Sequence, residues 1–171
     1  NVDCKMANGA TPLHAAVMNG HVNIAELLLK CGSSVSAAQL DGMTALHIAV
    51  TKGKIEMIHL ILRYKPRLDT TTTKGLTPLF IAVWQNDLVA CRALLQAGAL
   101  ADCIDNMGNT PLLIAAGNNF YDMAVLLIEF GASTNATNRR LESALLCAAR
   151  LGSAPLCEML LQRGALIDLR A

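Results

Sequence analysis

Five segments of this sequence resemble one another and begin 33 residues apart: TPLHAAV at 11–17, TALHIAV at 44–50, TPLFIAV at 77–83, TPLLIAA at 110–116 and SALLCAA at 143–149. A second apolar block follows each at a fixed offset, from Leu28-Leu29 through Ile61-Leu62, Leu94-Leu95 and Leu127-Ile128 to Leu160-Leu161. Glycine stands two residues ahead of four of the five segments, as Gly9, Gly42, Gly75 and Gly108. Self-similarity at such a period restricts the chain to a stack of like units, each too small to bury its apolar face alone.

One unit shows what is being repeated. Thr11 is a favourable N-cap and Pro12 suits the first helical position, where an amide hydrogen would be unpaired anyway. Leu13, Ala16 and Val17 then fall on one helical face. Gly20 supplies a left-handed stop. The run Val22 to Lys30 predicts a second amphipathic helix, which Gly32 ends. Ser33 to Asp41, leading to Gly42, reads as a turn-rich hairpin toward the next unit. Alanine at 16, 49, 82, 115 and 148 lets neighbouring helices approach closely.

The period and the Thr-Pro-Leu-His-x-Ala opening resemble the ankyrin repeat family over essentially the whole chain. The resemblance implies an all-α fold: an ankyrin-repeat solenoid of stacked helix-turn-helix units with β-hairpin-like connecting loops. It divides residues 1–171, a single array, into units at about 8–40, 41–73, 74–106, 107–139 and 140–171, with residues 1–7 the tail of a preceding unit. Both ends read as interior to a longer array. Asn1-Val2-Asp3 aligns with Ser34-Val35-Ser36, and Ala165 to Ala171 aligns with the start of a hairpin. The last unit also shows an apolar set, Leu145, Leu146, Cys147, Leu156, Met159 and Leu160, with no polar capping face.

Several positions depart from the pattern. Asn86 and Asn119 replace the glycine that stops the first helix, and asparagine is the next-best left-handed cap. Lys65-Pro66 stands where other units carry Gly-Ala or Gly-Ser, which predicts an early or irregular end to that second helix. The fifth unit has Leu141 in place of the leading glycine. Phe80, Leu113 and Leu146 replace His14 and His47, so the polar bracing of that position is expected to be missing there.

A hydrophobic share of 53% argues against disorder, and a net charge of +1 leaves no general footprint for nucleic acid or an anionic membrane. No apolar run is long enough for a spanning helix, so direct membrane insertion is not expected. The six cysteines lack zinc-site spacing, and most are assigned to small-apolar helix positions; reduced thiols and an intracellular, cytoplasmic or nuclear, location are expected. No Gly-rich phosphate loop, Gly-x-Ser-x-Gly or His-Glu-x-x-His occurs, and the four histidines suit structural places. The expectation is a non-enzyme without cofactor or metal.

The resemblance implies that a partner binds the concave side, at hairpin tips and the exposed ends of first helices. Mapped onto this sequence, the candidates are Met18, Met43, Lys52, Lys74, Leu76, Trp84, Gln85, Met107, Asn109, Arg139, Arg140 and Arg150. Met18, Leu40, Met43, Leu76, Trp84 and Met107 form an apolar stripe outside the core frame, and Trp84 is the sole tryptophan. Arg139, Arg140 and Arg150 suit an acidic group. The expected partner is another protein, contributing an extended or helical segment to a monomeric array that serves as scaffold or adaptor. A substrate receptor of a ubiquitin ligase ending in a SOCS box is the alternative parent. The resemblance also implies that Asn135 can be hydroxylated by a dioxygenase, set against its use as a hairpin brace.

Overall fold

Every unit of the sequence pattern becomes a pair of helices. The computed structural model describes residues 2–167. The first helices are α1 (Pro12–Met18), α3 (Ala45–Thr51), α5 (Pro78–Trp84), α7 (Pro111–Gly117) and α9 (Ala144–Arg150). The second helices are α2 (Val22–Lys30), α4 (Ile55–Arg63), α6 (Leu88–Gln96), α8 (Tyr121–Glu129) and α10 (Ala154–Gln162). Helices of seven and nine residues are too short to persist alone in water. They persist by stacking: α1 packs on α3, α3 on α5, α5 on α7 and α7 on α9, with α2, α4, α6 and α8 forming the parallel row.

The stack buries one apolar residue layer per unit. Leu13, Leu46, Leu79 and Leu112, at equivalent places, are sealed from solvent, as are Ile61, Leu94, Leu127 and Leu160. The alanines Ala49, Ala82, Ala115 and Ala148 are fully buried where first helices meet.

Hydrogen bonds knit the hairpins unit to unit. Side-chain oxygens of Asp3, Ser36, Asp69, Asp102 and Asn135 accept from the backbone N–H of Ser34, Arg67, Leu100, Ser133 and Leu166, at 2.8–3.2 Å. Asn135 also donates to the Gly164 carbonyl at 3.1 Å, so both ends of its amide serve as a brace. Hairpin tips touch as well: Leu40, Thr73 and Arg139 donate backbone N–H to the carbonyls of Asn8, Asp41 and Met107. The hairpins are otherwise irregular, with single antiparallel bridges Ala38–Thr44 and Thr137–Ser143. Gly42 shows why glycine leads the unit. Its φ is +82°, and a Cβ there would stand 2.7 Å from the Thr71 carbonyl oxygen.

Several sequence expectations need correcting. Helix α4 does not end early at Lys65-Pro66, since it has nine residues like the other second helices, but its end is irregular as expected. The Tyr64 N–H reaches the Ile61 carbonyl three residues back, where Cys31 and Ala97 reach four back. Pro66 has no N–H for the closing bond that Ser33 and Ala99 make, and Lys65 adopts the left-handed conformation (φ 50°) that glycine takes elsewhere. Leu141 does the same in the fifth unit (φ 59°), and Asn86 and Asn119 fill their expected caps at φ 55° and 58°. Only Cys91, Cys147 and Cys157 lie in helices. Cys4 and Cys103 occupy equivalent hairpin positions, and Cys31 caps α2. In the last unit Cys147, Leu156, Met159 and Leu160 are buried, with α10 packed on α9 and α9 on α7 of the fourth unit. Leu146 alone of its equivalent set is open, 50% exposed where Phe80 is sealed. The alignments at residue 1 and at 168–171 lie outside the described residues.

The cysteine environments predict selective chemistry. Burial pushes the Cys91 thiol up to about 12 and that of Cys103 to about 11, while Cys4 and Cys31 lie exposed. Thiolate is the reactive species. Maleimide at neutral pH is therefore expected to label Cys4 and Cys31 in the native chain and Cys91 only after unfolding, read by peptide mass spectrometry. Native labelling of Cys91 as fast as Cys4 would contradict this packing.

His14 and His47 replace Phe80 and Leu113 at a buried place. The Nδ1 atoms accept from the N–H of Thr11 and Thr44, both at 3.1 Å, which leaves the proton on Nε2. Nε2 of His47 donates to the Leu76 carbonyl at 3.1 Å, whereas Nε2 of His14 is buried without a partner. As expected, this link is missing in later units, where Thr77, Thr110 and Ser143 hydroxyls accept only from the N–H three residues on among the backbone amides.

Burial lowers both imidazole pKa values below the ordinary 6.5, against an upward pull from nearby carbonyls. The unfolded chain therefore takes up protons at a pH where the folded chain does not. Their contribution is complete above about pH 6.5 and falls as pH drops below it, by at most about 1.4 kcal/mol per pH unit for each histidine. The midpoint of thermal unfolding should drop between pH 7.5 and 5.5, and a His14→Leu/His47→Leu chain should show a smaller drop. An equal drop in both would reject this assignment.

Candidate functional site

The hairpin tips and first-helix ends form one face of the stack, and an apolar groove lies on it between the third and fourth units. Trp84 ends α5 there, where the backbone turns into Gln85 and the indole is 62% exposed. Leu76 comes from the preceding hairpin, Ile81 from one turn back along α5, and Met107 from the next hairpin tip. Phe80 forms the floor, sealed from solvent. Lys74, Thr51, Asp105 and Asn106 stand at the rim of a cavity of about 500 Å³.

Polar contacts set the rim. Gln85 Nε2 donates to the Thr51 carbonyl at 3.0 Å, holding the end of α5 against α3. Asn106 Nδ2 donates to the Thr73 carbonyl at 3.2 Å, and its side chain lies against Gly75, where a Cβ would collide with it. Gly75 thus shapes the groove as well as its own turn. Asp105 ties the next tip together, accepting from the N–H of Met107 and Asn109 at 2.8 Å each and from Asn109 Nδ2 at 2.9 Å.

A second hollow of about 410 Å³ adjoins the first and shares Asn106 and Met107 with it. Asn109, Asn138, Arg139, Arg140 and Glu142 complete its lining. Asn138 is its hub: Nδ2 donates to Asn109 Oδ1 and Glu142 Oε2, and Oδ1 accepts from the N–H of Arg140 and Glu142. Glu142 Oε1 meets Arg150 Nη1 at 2.6 Å. The Arg150 guanidinium, then the Asn138 amide, hold the Glu142 carboxyl below the usual carboxylate range.

The structure thus gathers Lys74, Leu76, Trp84, Gln85 and Met107 in one groove and Met107, Asn109, Arg139 and Arg140 in the next. Met18 and Lys52 are exposed on earlier units and line neither. Met43 does not fit the expectation of a residue outside the core: it is half-buried and packs against the core. Arg150 is paired with Glu142 and is not part of a free arginine cluster. Asp105 was not among the sequence candidates. Its equivalents Thr72 and Asn138 also accept backbone N–H bonds within their hairpins, so its signal was a hydrogen-bonding side chain two residues ahead of the last three tips. Among the described residues no group of His, Cys, Asp and Glu is arranged to hold a metal, and no helix is long and apolar enough to cross a membrane.

A family model described as ankyrin repeats (3 copies) matches the chain in overlapping stretches, 1–72, 33–105, 52–138 and 79–171, which together span it. The chain belongs to the ankyrin repeat family. Arrays of this family are generally protein–protein interaction modules and typically non-catalytic. No curated protein is matched by the sequence. What distinguishes this ankyrin array is therefore read from its own variable residues, set on a regular frame.

Proposed function

We propose that this ankyrin array is a scaffold or adaptor that holds a segment of another protein in the groove between its third and fourth units. The observation that carries the reading is Trp84, exposed at 62% beside half-buried Leu76 and exposed Met107 while the residues beneath are sealed. A large aromatic left open over an apolar hollow gains substantially when a partner covers it, and tryptophan is enriched among residues that dominate binding energy. Intramolecular bonds already fix Gln85, Asn106 and Asp105 around the hollow, so binding need not order the rim. Arg150, committed to Glu142, acts as a support for the second hollow.

Selection of linear random peptides on the immobilised chain tests the reading. Ligands enriched on the native chain are expected to be lost on a Trp84→Ala chain. Ligands that bind both equally, or that are displaced only by substitutions on the second helices, would refute the groove as the site.

A further inference from the structure

Resting on that groove reading, we infer that the partner segment is extended and acidic: an apolar anchor seated at Trp84 is followed, about three residues away, by Asp or Glu side chains that pair with Arg139 and Arg140. Charge complementarity points to this occupant. Lys74, Arg139 and Arg140 outnumber the carboxylates Asp105 and Glu142 in the lining of the two hollows, and Glu142 is itself neutralised by Arg150. Both carboxylates are already satisfied, Asp105 by the N–H groups of its own tip and Glu142 by Arg150 and Asn138. Arg139 and Arg140 are exposed and form no ion pair among the described residues, so their guanidinium forks are available for bidentate carboxylate contacts.

The spacing follows from the stack. The two hollows share Asn106 and Met107 and are offset by one step of the stack, the first between the third and fourth units and the second between the fourth and fifth. Helices in contact lie about 8–10 Å apart, which an extended chain rising about 3.3 Å per residue crosses in about three residues. A helix rising 1.5 Å per residue would need about six. An extended segment also has open backbone groups to satisfy. The amides of Gln85 and Asn106 line its path, each with a second N–H beyond the one it donates internally.

The same linear peptide library, selected on the native chain, reads this directly. Enriched ligands should carry Asp or Glu about three positions from a bulky apolar residue. An Arg139→Glu/Arg140→Glu chain should bind them about tenfold or more weakly and, selected in its own right, should enrich Lys or Arg there. Arg140→Glu alone should weaken binding in the same direction, which keeps the test open should the double variant fold poorly. Ligands that need Trp84 but ignore charge reversal, or show an acid spacing of about six, overturn this inference and leave the groove reading standing. A library that yields no Trp84-dependent ligand overturns both.

Discussion

Replacing Leu94 by alanine is expected to destabilise the array by about 2–5 kcal/mol, the range for emptying a sealed leucine site. Leu94 lies on α6 with no exposed surface, in the middle unit, where α6 meets α4, α5 and α8. Loss of its side chain removes the apolar contacts and leaves a void that rigid neighbouring helices cannot close. In a solenoid each unit depends on its neighbours, so damage at the centre weakens coupling between the two halves. Urea unfolding followed by helical circular dichroism should show a lower midpoint, with a broadened or stepped transition as the halves separate. Leu100→Ala is the control: Leu100 is 61% exposed and should change stability by less than about 0.5 kcal/mol. Equal effects at the two sites would be incompatible with the stacking described.

Trp84→Ala should do the opposite: little to stability and much to binding. The indole is mostly exposed and its truncation opens no sealed cavity. Aromatic residues at the centre of an interface cost about 2 kcal/mol or more when truncated, or about thirtyfold in Kd. Titration calorimetry with a selected peptide should show that loss, with the melting temperature unchanged within about 2 °C. A loss below about 1 kcal/mol would remove Trp84 from the centre of the site.

The helices could be read almost residue by residue in the sequence, because caps and apolar periodicity repeat and each unit checks the others. Thr11-Pro12 and Gly20 place the ends of α1 without reference to any neighbour. At Lys65-Pro66 the expectation was half met: the helix keeps its full length, but its last turn is irregular, because Pro66 has no N–H to close it and Lys65 takes a left-handed backbone that costs a residue other than glycine about 1–2 kcal/mol. The candidate site was only half legible. Positions on the frame locate Leu76, Trp84 and Met107 on one face, yet they do not reveal that Met43 turns inward while its equivalent Leu76 opens to the groove. Nor could spacing show that Glu142, eight residues before Arg150, claims that arginine and, among the described residues, leaves Arg139 and Arg140 without an ion pair. Those pairings depend on side-chain conformations across a hairpin, where no periodicity operates.

The chain's only tryptophan is the centre of the proposed groove, so its own emission gives the most direct measurement. In the free array the exposed indole should emit at long wavelength and be readily quenched by acrylamide. Saturating a selected peptide that lacks tryptophan should shift the emission to shorter wavelength and protect it from quencher, with the same midpoint as binding. Saturable binding that leaves Trp84 emission and quenching unchanged would contradict the account.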